Sequence, residues 1–178
     1  MTKKMRRYVF NTTSSVAAGL VAGTLGGVVG GAVLGLVLAI VTDDGLTAYS
    51  ALFFALYGGA IGVPIGAITG MLKPVICQGT VTKVAWIVVS GLGSGLGARL
   101  LDVSEMDIII VFTVLGAIIA GVTSQRLTLL FGRESGEEVT PKKMIYYIAF
   151  LLAGFLLVAP AVYAALKLLV SLLELVFD

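Results

Sequence analysis

Residues 8–42 read YVFNTTSSVAAGLVAGTLGGVVGGAVLGLVLAIVT, a run without one charged side chain. A helix needs about 20 mostly apolar residues to cross a bilayer, so the run is longer than one membrane span requires. Inside it Gly19, Gly23, Gly27, Gly31 and Gly35 recur at every fourth position. Residues four apart lie on one ridge of a helix surface. A second ridge of small residues, Ala18, Ala22, Gly26 and Gly30, runs beside the first. The stretch therefore reads as a membrane helix with two faces suited to close neighbours.

The whole chain shares this character. Of its 178 residues, 58% are apolar, 23 are glycine and only 12% are charged, with a mean hydropathy of +1.08. A soluble domain carries roughly 25% charged residues. The composition excludes a water-soluble globular protein, a disordered chain and a nucleic-acid binder. It predicts an all-α integral membrane protein, a single transmembrane domain over residues 1–178 with no soluble module.

Charge-free runs mark the spans. After the first come Gly45–Leu72, the 15 residues between Lys83 and Arg99, the 18 between Asp107 and Arg126, and the 23 between Lys143 and Lys167. The pattern predicts a bundle of five transmembrane helices near 13–42, 47–73, 80–101, 105–131 and 141–176. The first and last exceed the bilayer thickness and must tilt, kink or project. The third spans only if Lys83 and Arg99 extend their heads to the interfaces. End signals agree with these bounds. Thr140-Pro141 reads as an N-cap followed by proline at the first helical position. Ser104-Glu105-Met106-Asp107 resembles a capping box. Gly45 and Gly132 are placed to stop helices, and Lys73-Pro74 to end the second.

The basic residues orient the bundle. With five spans and a cytoplasmic N-terminus, Lys3, Lys4, Arg6, Arg7, Lys73, Lys83, Arg126, Arg133, Lys142 and Lys143 fall inside, 10 of 12. Arg99 and Lys167 fall outside with seven of the 10 acids: Asp43, Asp44, Asp102, Glu105, Asp107, Glu174 and Asp178. This positive-inside bias places the chain in the cell (cytoplasmic or inner) membrane with its C-terminus outside. Removing the third span would erase most of the bias. Tyr8, Trp86, Tyr146 and Tyr147 are expected near the inner interface and Tyr49 near the outer one. The basic start followed by a long apolar run reads as an uncleaved signal anchor.

The small-residue rows continue through the chain. The second helix carries Gly58, Gly62, Gly66 and Gly70, flanked by Ala51, Ala55 and Gly59. The third has Gly91 with Gly95 and Gly93 with Gly97, and the fourth has Gly116-Ala120-Ser124. Lipid tails are as apolar as leucine, so burial alone does not bring membrane helices together. Small residues let backbones touch, gaining dispersion and Cα–H···O contacts. The rows predict GxxxG-type helix packing through Gly19, Gly23, Gly27, Gly31, Gly35, Gly58, Gly62, Gly66, Gly70, Gly91 and Gly95. The first two helices are expected to pair antiparallel, with a right-handed crossing near −40°. The two rows on the first helix suggest two close neighbours, from this chain, another subunit or a second copy.

Reactive chemistry is scarce. Histidine is absent, Cys77 is the single cysteine, and the acids lie at predicted helix ends. No catalytic, cofactor-binding or metal-ligating residue is expected, and no cofactor. An intramembrane serine nucleophile such as Ser90 would lack the usual His or acid partner. Pro64 and Pro160 fall inside predicted helices and are expected to kink them. A broken helix at mid-membrane is also how transporters build sites. The mid-span hydroxyls Thr24, Thr69, Ser90, Ser94, Thr113 and Thr123 either bond their own backbone or form a polar track. Arg99 could pair with Asp102, and Arg126 could touch anionic lipid. The charged loop 133–139 is solvated or meets a cytoplasmic partner.

The glycine rows look superficially like those of the proteolipid rotor subunits of rotary ATPases. Those need a mid-membrane carboxylate, and this chain has none. The mitochondrial inner-membrane translocase family also uses glycine rows, but no motif beyond the glycines matches. The chemistry therefore points to a non-catalytic accessory or structural subunit of a larger membrane complex. Its expected partners are the lipid bilayer and other membrane subunits or further copies of itself. The alternative is a small channel or carrier for an uncharged or weakly charged solute.

Overall fold

A computed structural model describes residues 3–42, 47–76, 79–101, 106–131 and 141–177. It contains α1 (Lys3–Thr42), α2 (Thr47–Met71), α3 (Lys73–Ile76), α4 (Thr80–Arg99), α5 (Met106–Phe131) and α6 (Pro141–Phe177). No strand occurs among the described residues. The physical reason is the solvent. Hydrocarbon offers no partner for a peptide N–H or C=O, and a helix satisfies both within one segment. All but the one-turn α3 are long and apolar enough to cross a membrane, and the chain is a multi-pass membrane protein.

The third predicted span is a helix of 20 residues with Lys83 in its first turn and Arg99 in its last. At 1.5 Å per residue it is about 30 Å long, enough for the hydrocarbon layer. α1 begins ten residues before its expected start. Nothing between Lys3 and Thr12 breaks a helix, and the charges that set the expected bound limit membrane depth rather than helicity. α2 ends before Lys73-Pro74, as expected. The chain then makes the extra turn α3 instead of a plain loop. Proline is tolerated in a first turn, where its missing N–H costs nothing, and α3 tucks Val75 and Ile76 under the bundle. α2 and α6 remain helical through Pro64 and Pro160. α6 begins at Pro141, as expected for proline at a first helical position. Cys77, the stops at Gly45 and Gly132, the cap residues Ser104, Glu105 and Thr140, the acids Asp43, Asp44, Asp102 and Asp178, and the loop 133–139 lie outside the described residues.

The long helices form a ring in the order α1, α2, α6, α4, α5, with α2 and α5 also meeting across it. The contacts fix the directions. Gly26 and Gly30 of α1 face Val122 and Leu115 of α5, in descending order. Gly91 and Gly95 of α4 face Thr113 with Ala117 and then Ile109, also descending, whereas Gly93 and Gly97 meet Val158 and Val162 of α6, ascending. α1, α4 and α6 thus run one way and α2 and α5 the other.

The core lies among α2, α4, α5 and α6, with Ile61, Ile65, Leu115, Ile119, Val158 and Leu166 fully buried. Trp86 is fully buried. Its ring lies where a Cβ on Gly154 of α6 would be, and its Nε1 donates to Thr69 Oγ1 of α2 at 3.0 Å. A tryptophan carries one polar atom on a large apolar body, and a buried hydroxyl satisfies it as well as interfacial water does. Tyr49 and Tyr146 are exposed near the starts of α2 and α6.

The Trp86–Thr69 bond ties α4 to α2, and its weight is measurable. A double-mutant cycle with Thr69→Val and Trp86→Phe, followed by unfolding in mixed micelles, should give a coupling of about 0.6–1.7 kcal/mol. Zero coupling would mean that the bond contributes nothing to the bundle.

Candidate functional site

With no charge deep in the spans, the features to test for function are the helix faces and the buried hydroxyls. Across positions 12–41 of α1 the buried residues are Ser15, Gly19, Gly23, Gly27, Gly31, Gly35 and Ala39, one in every four without a break. This single ridge faces α2. A Cβ on Gly27 would run into the carbonyl oxygen of Gly58, one on Gly23 into that of Gly62, and one on Gly19 into that of Gly66. The relation is mutual, because a Cβ on Gly58, Gly62 or Gly66 would meet the carbonyl oxygen of Gly27, Gly23 or Gly19. At the ends, a Cβ on Gly31 would run into Phe54 O, one on Gly35 would lie 2.5 Å from Ser50 O, and one on Gly70 would lie 2.5 Å from Ser15 O. Every four-residue step up α1 matches four residues down α2, the antiparallel pairing expected. Ser15 Oγ adds a hydrogen bond to Gly70 O at 3.1 Å.

The second row on α1 has a different environment. A Cβ on Gly26 would sit 3.6 Å from Val122 Cγ1, and one on Gly30 would sit 3.7 Å from Leu115 Cδ1. These are side-chain contacts of ordinary length. The expected second neighbour of α1 is therefore α5, met through side chains and not through backbone.

α4 presents small residues on two sides. Gly91 and Gly95 face α5, where a Cβ on Gly91 would lie 2.9 Å from Thr113 O and one on Gly95 would meet Thr113 Oγ1. Gly93 and Gly97 face α6, where a Cβ on Gly97 would lie 2.9 Å from Ala159 O. Gly154, the seat of the Trp86 ring, escapes sequence reasoning. A lone glycine in an apolar helix carries no periodic signal, and its partner lies far off in the chain. Pro64 is buried within α2 and Pro160 is exposed on α6.

The hydroxyls divide into two groups. Thr24 bonds Leu20 O, Thr69 bonds Ile65 O, Ser94 bonds Ser90 O and Thr113 bonds Ile109 O, each within its own helix. Ser90 Oγ and Thr123 Oγ1 are buried with no hydrogen-bond partner. Among the described residues, no group of three His, Cys, Asp or Glu side chains comes together. Lys73 places its ammonium 4.4 Å from the centroid of the Phe131 ring, a cation–π contact at the end where α2 and α5 finish. No family model, curated protein or solved structure matches the chain.

Adjacent glycines of α1 should respond oppositely to one methyl group. Gly27→Ala should destabilise the bundle by about 1–3 kcal/mol, because its Cβ meets a backbone carbonyl that cannot rotate away. Gly26→Ala should be neutral or up to about 1 kcal/mol stabilising, since alanine has the better helix propensity. Micelle unfolding of the two variants compares them directly, and equal effects would overturn the distinction between the two faces.

Proposed function

We propose that this chain is a non-catalytic structural subunit of a larger membrane protein complex. The observation that carries the reading is the filled interior. Large aliphatic side chains and Trp86 occupy the space between α2, α4, α5 and α6, and most mid-span hydroxyls are spent on their own helix carbonyls. A bundle packed in this way is suited to holding a shape.

In this reading the glycine rows are the device that lets the helices close up. Gly19, Gly23, Gly27, Gly31 and Gly35 on α1 and Gly58, Gly62, Gly66 and Gly70 on α2 form a GxxxG-type seam. The backbone proximity at each pair supports this. Gly91 and Gly95 do the same between α4 and α5. The chain sits in the cytoplasmic (inner) membrane with its N-terminus inside and its C-terminus outside. The distribution of Lys and Arg supports that orientation. Its partners are other membrane subunits or further copies of itself.

Native mass spectrometry of the protein drawn from its own membrane in mild detergent tests this. The expected result is a stoichiometric complex with other membrane subunits or further copies of the chain. A monomer that passes solute in liposomes would overturn it.

One observation favours the carrier reading, the unpartnered hydroxyls of Ser90 and Thr123 inside the bundle. A passing polar solute could use them. In a structural subunit, Ser90→Ala and Thr123→Val should be neutral or slightly stabilising, because each removes a buried group that has no bond to lose. In a carrier, the same changes should alter liposome flux with stability unchanged.

A further inference from the structure

Outside the seam with α2, α1 and α5 enclose an open groove of about 1010 Å³. Its floor is the second small row, Ala18, Ala22, Gly26 and Gly30. One wall is the exposed ridge of α1 that runs from Val21 to Val37, and the other is formed by Ile118 and Val122 of α5. A single charged residue, Arg126, lines it. Val122 stands opposite Gly26, so Arg126 lies one turn further toward the N-terminal end of α1. Five residues, about 8 Å of helix, separate it from the end of α5. A guanidinium on its aliphatic stem reaches the headgroup level from there. Among the described residues no acid pairs with it, and Asp107 is at the opposite end of the same helix.

We propose that this groove is a binding site for an anionic phospholipid, with the phosphate at Arg126 and the acyl chains laid along the small-residue floor. The groove is apolar along its length and cationic at one end, which matches the charge distribution of such a lipid. The small floor lets the chains lie against the α1 backbone and gain dispersion contacts that a row of leucines would deny them.

The test uses the full chain in mild detergent, offered equal amounts of phosphatidylglycerol and phosphatidylcholine, with retained lipid read by native mass spectrometry. The wild type should favour phosphatidylglycerol by about tenfold or more. Arg126→Gln, at an exposed position, should bring the two lipids close to parity, and Arg126→Lys should keep most of the preference. Lys83→Gln should leave it unchanged, which separates a site from bulk positive charge. Ala22→Leu should lower retention of both lipids by filling the floor. Excess inorganic phosphate should not displace the lipid, because the chains hold it as well as the headgroup. The proposal falls if Arg126→Gln keeps the preference, if Lys83→Gln loses it equally, or if phosphate alone displaces the lipid. It also falls if a photo-crosslinker at Val29 captures a polypeptide instead of lipid.

Discussion

A peptide group in hydrocarbon has no water to bond, and much of this structure follows from that. Each N–H and C=O must find a partner within reach, so the membrane segments are helices. The same constraint acts on side chains. Thr24, Thr69, Ser94 and Thr113 return their hydroxyls to carbonyls of the preceding turn. Trp86, fully buried in the core, lies where Thr69 Oγ1 can accept a hydrogen bond from its Nε1–H.

Once every segment is a helix with an apolar surface, the hydrophobic effect no longer distinguishes a helix neighbour from lipid. What remains is the shape of the faces. On α1, one residue in four is buried from Ser15 to Ala39, and that ridge follows α2 along its length. α4 turns one small face to α5 and another to α6, and it stands between them as a thin wedge. Where α5 meets α1 the contacts run through side chains, and the gap between the two helices opens to the outside of the bundle.

The functional proposals follow the same division between inside and outside. The interior is filled by aliphatic side chains, which suits a structural subunit. The outer groove combines an apolar length with one cation at its end, which suits an anionic lipid. The two readings rest on different residues, so either can fail without the other.

Composition and charge spacing alone determined that this is a helical membrane chain with five spans. They also located α2, α4, α5 and α6 to within a few residues. These features are local, because the length of an apolar run and a proline at a helix start are properties of neighbouring residues. The antiparallel match of α1 with α2 was legible too, since two long rows of equal spacing are joined by a short connection. Tertiary structure decided the rest. It made Trp86 a core contact of α2, α4 and α6. It gave Gly154 a role, made α6 a parallel neighbour of α4, and set α5 beside the second row of α1. A helix whose whole surface is apolar carries little in its own sequence to say which face meets which partner. That choice depends on how residues far apart in the chain fit together, and it is made only when the helices meet.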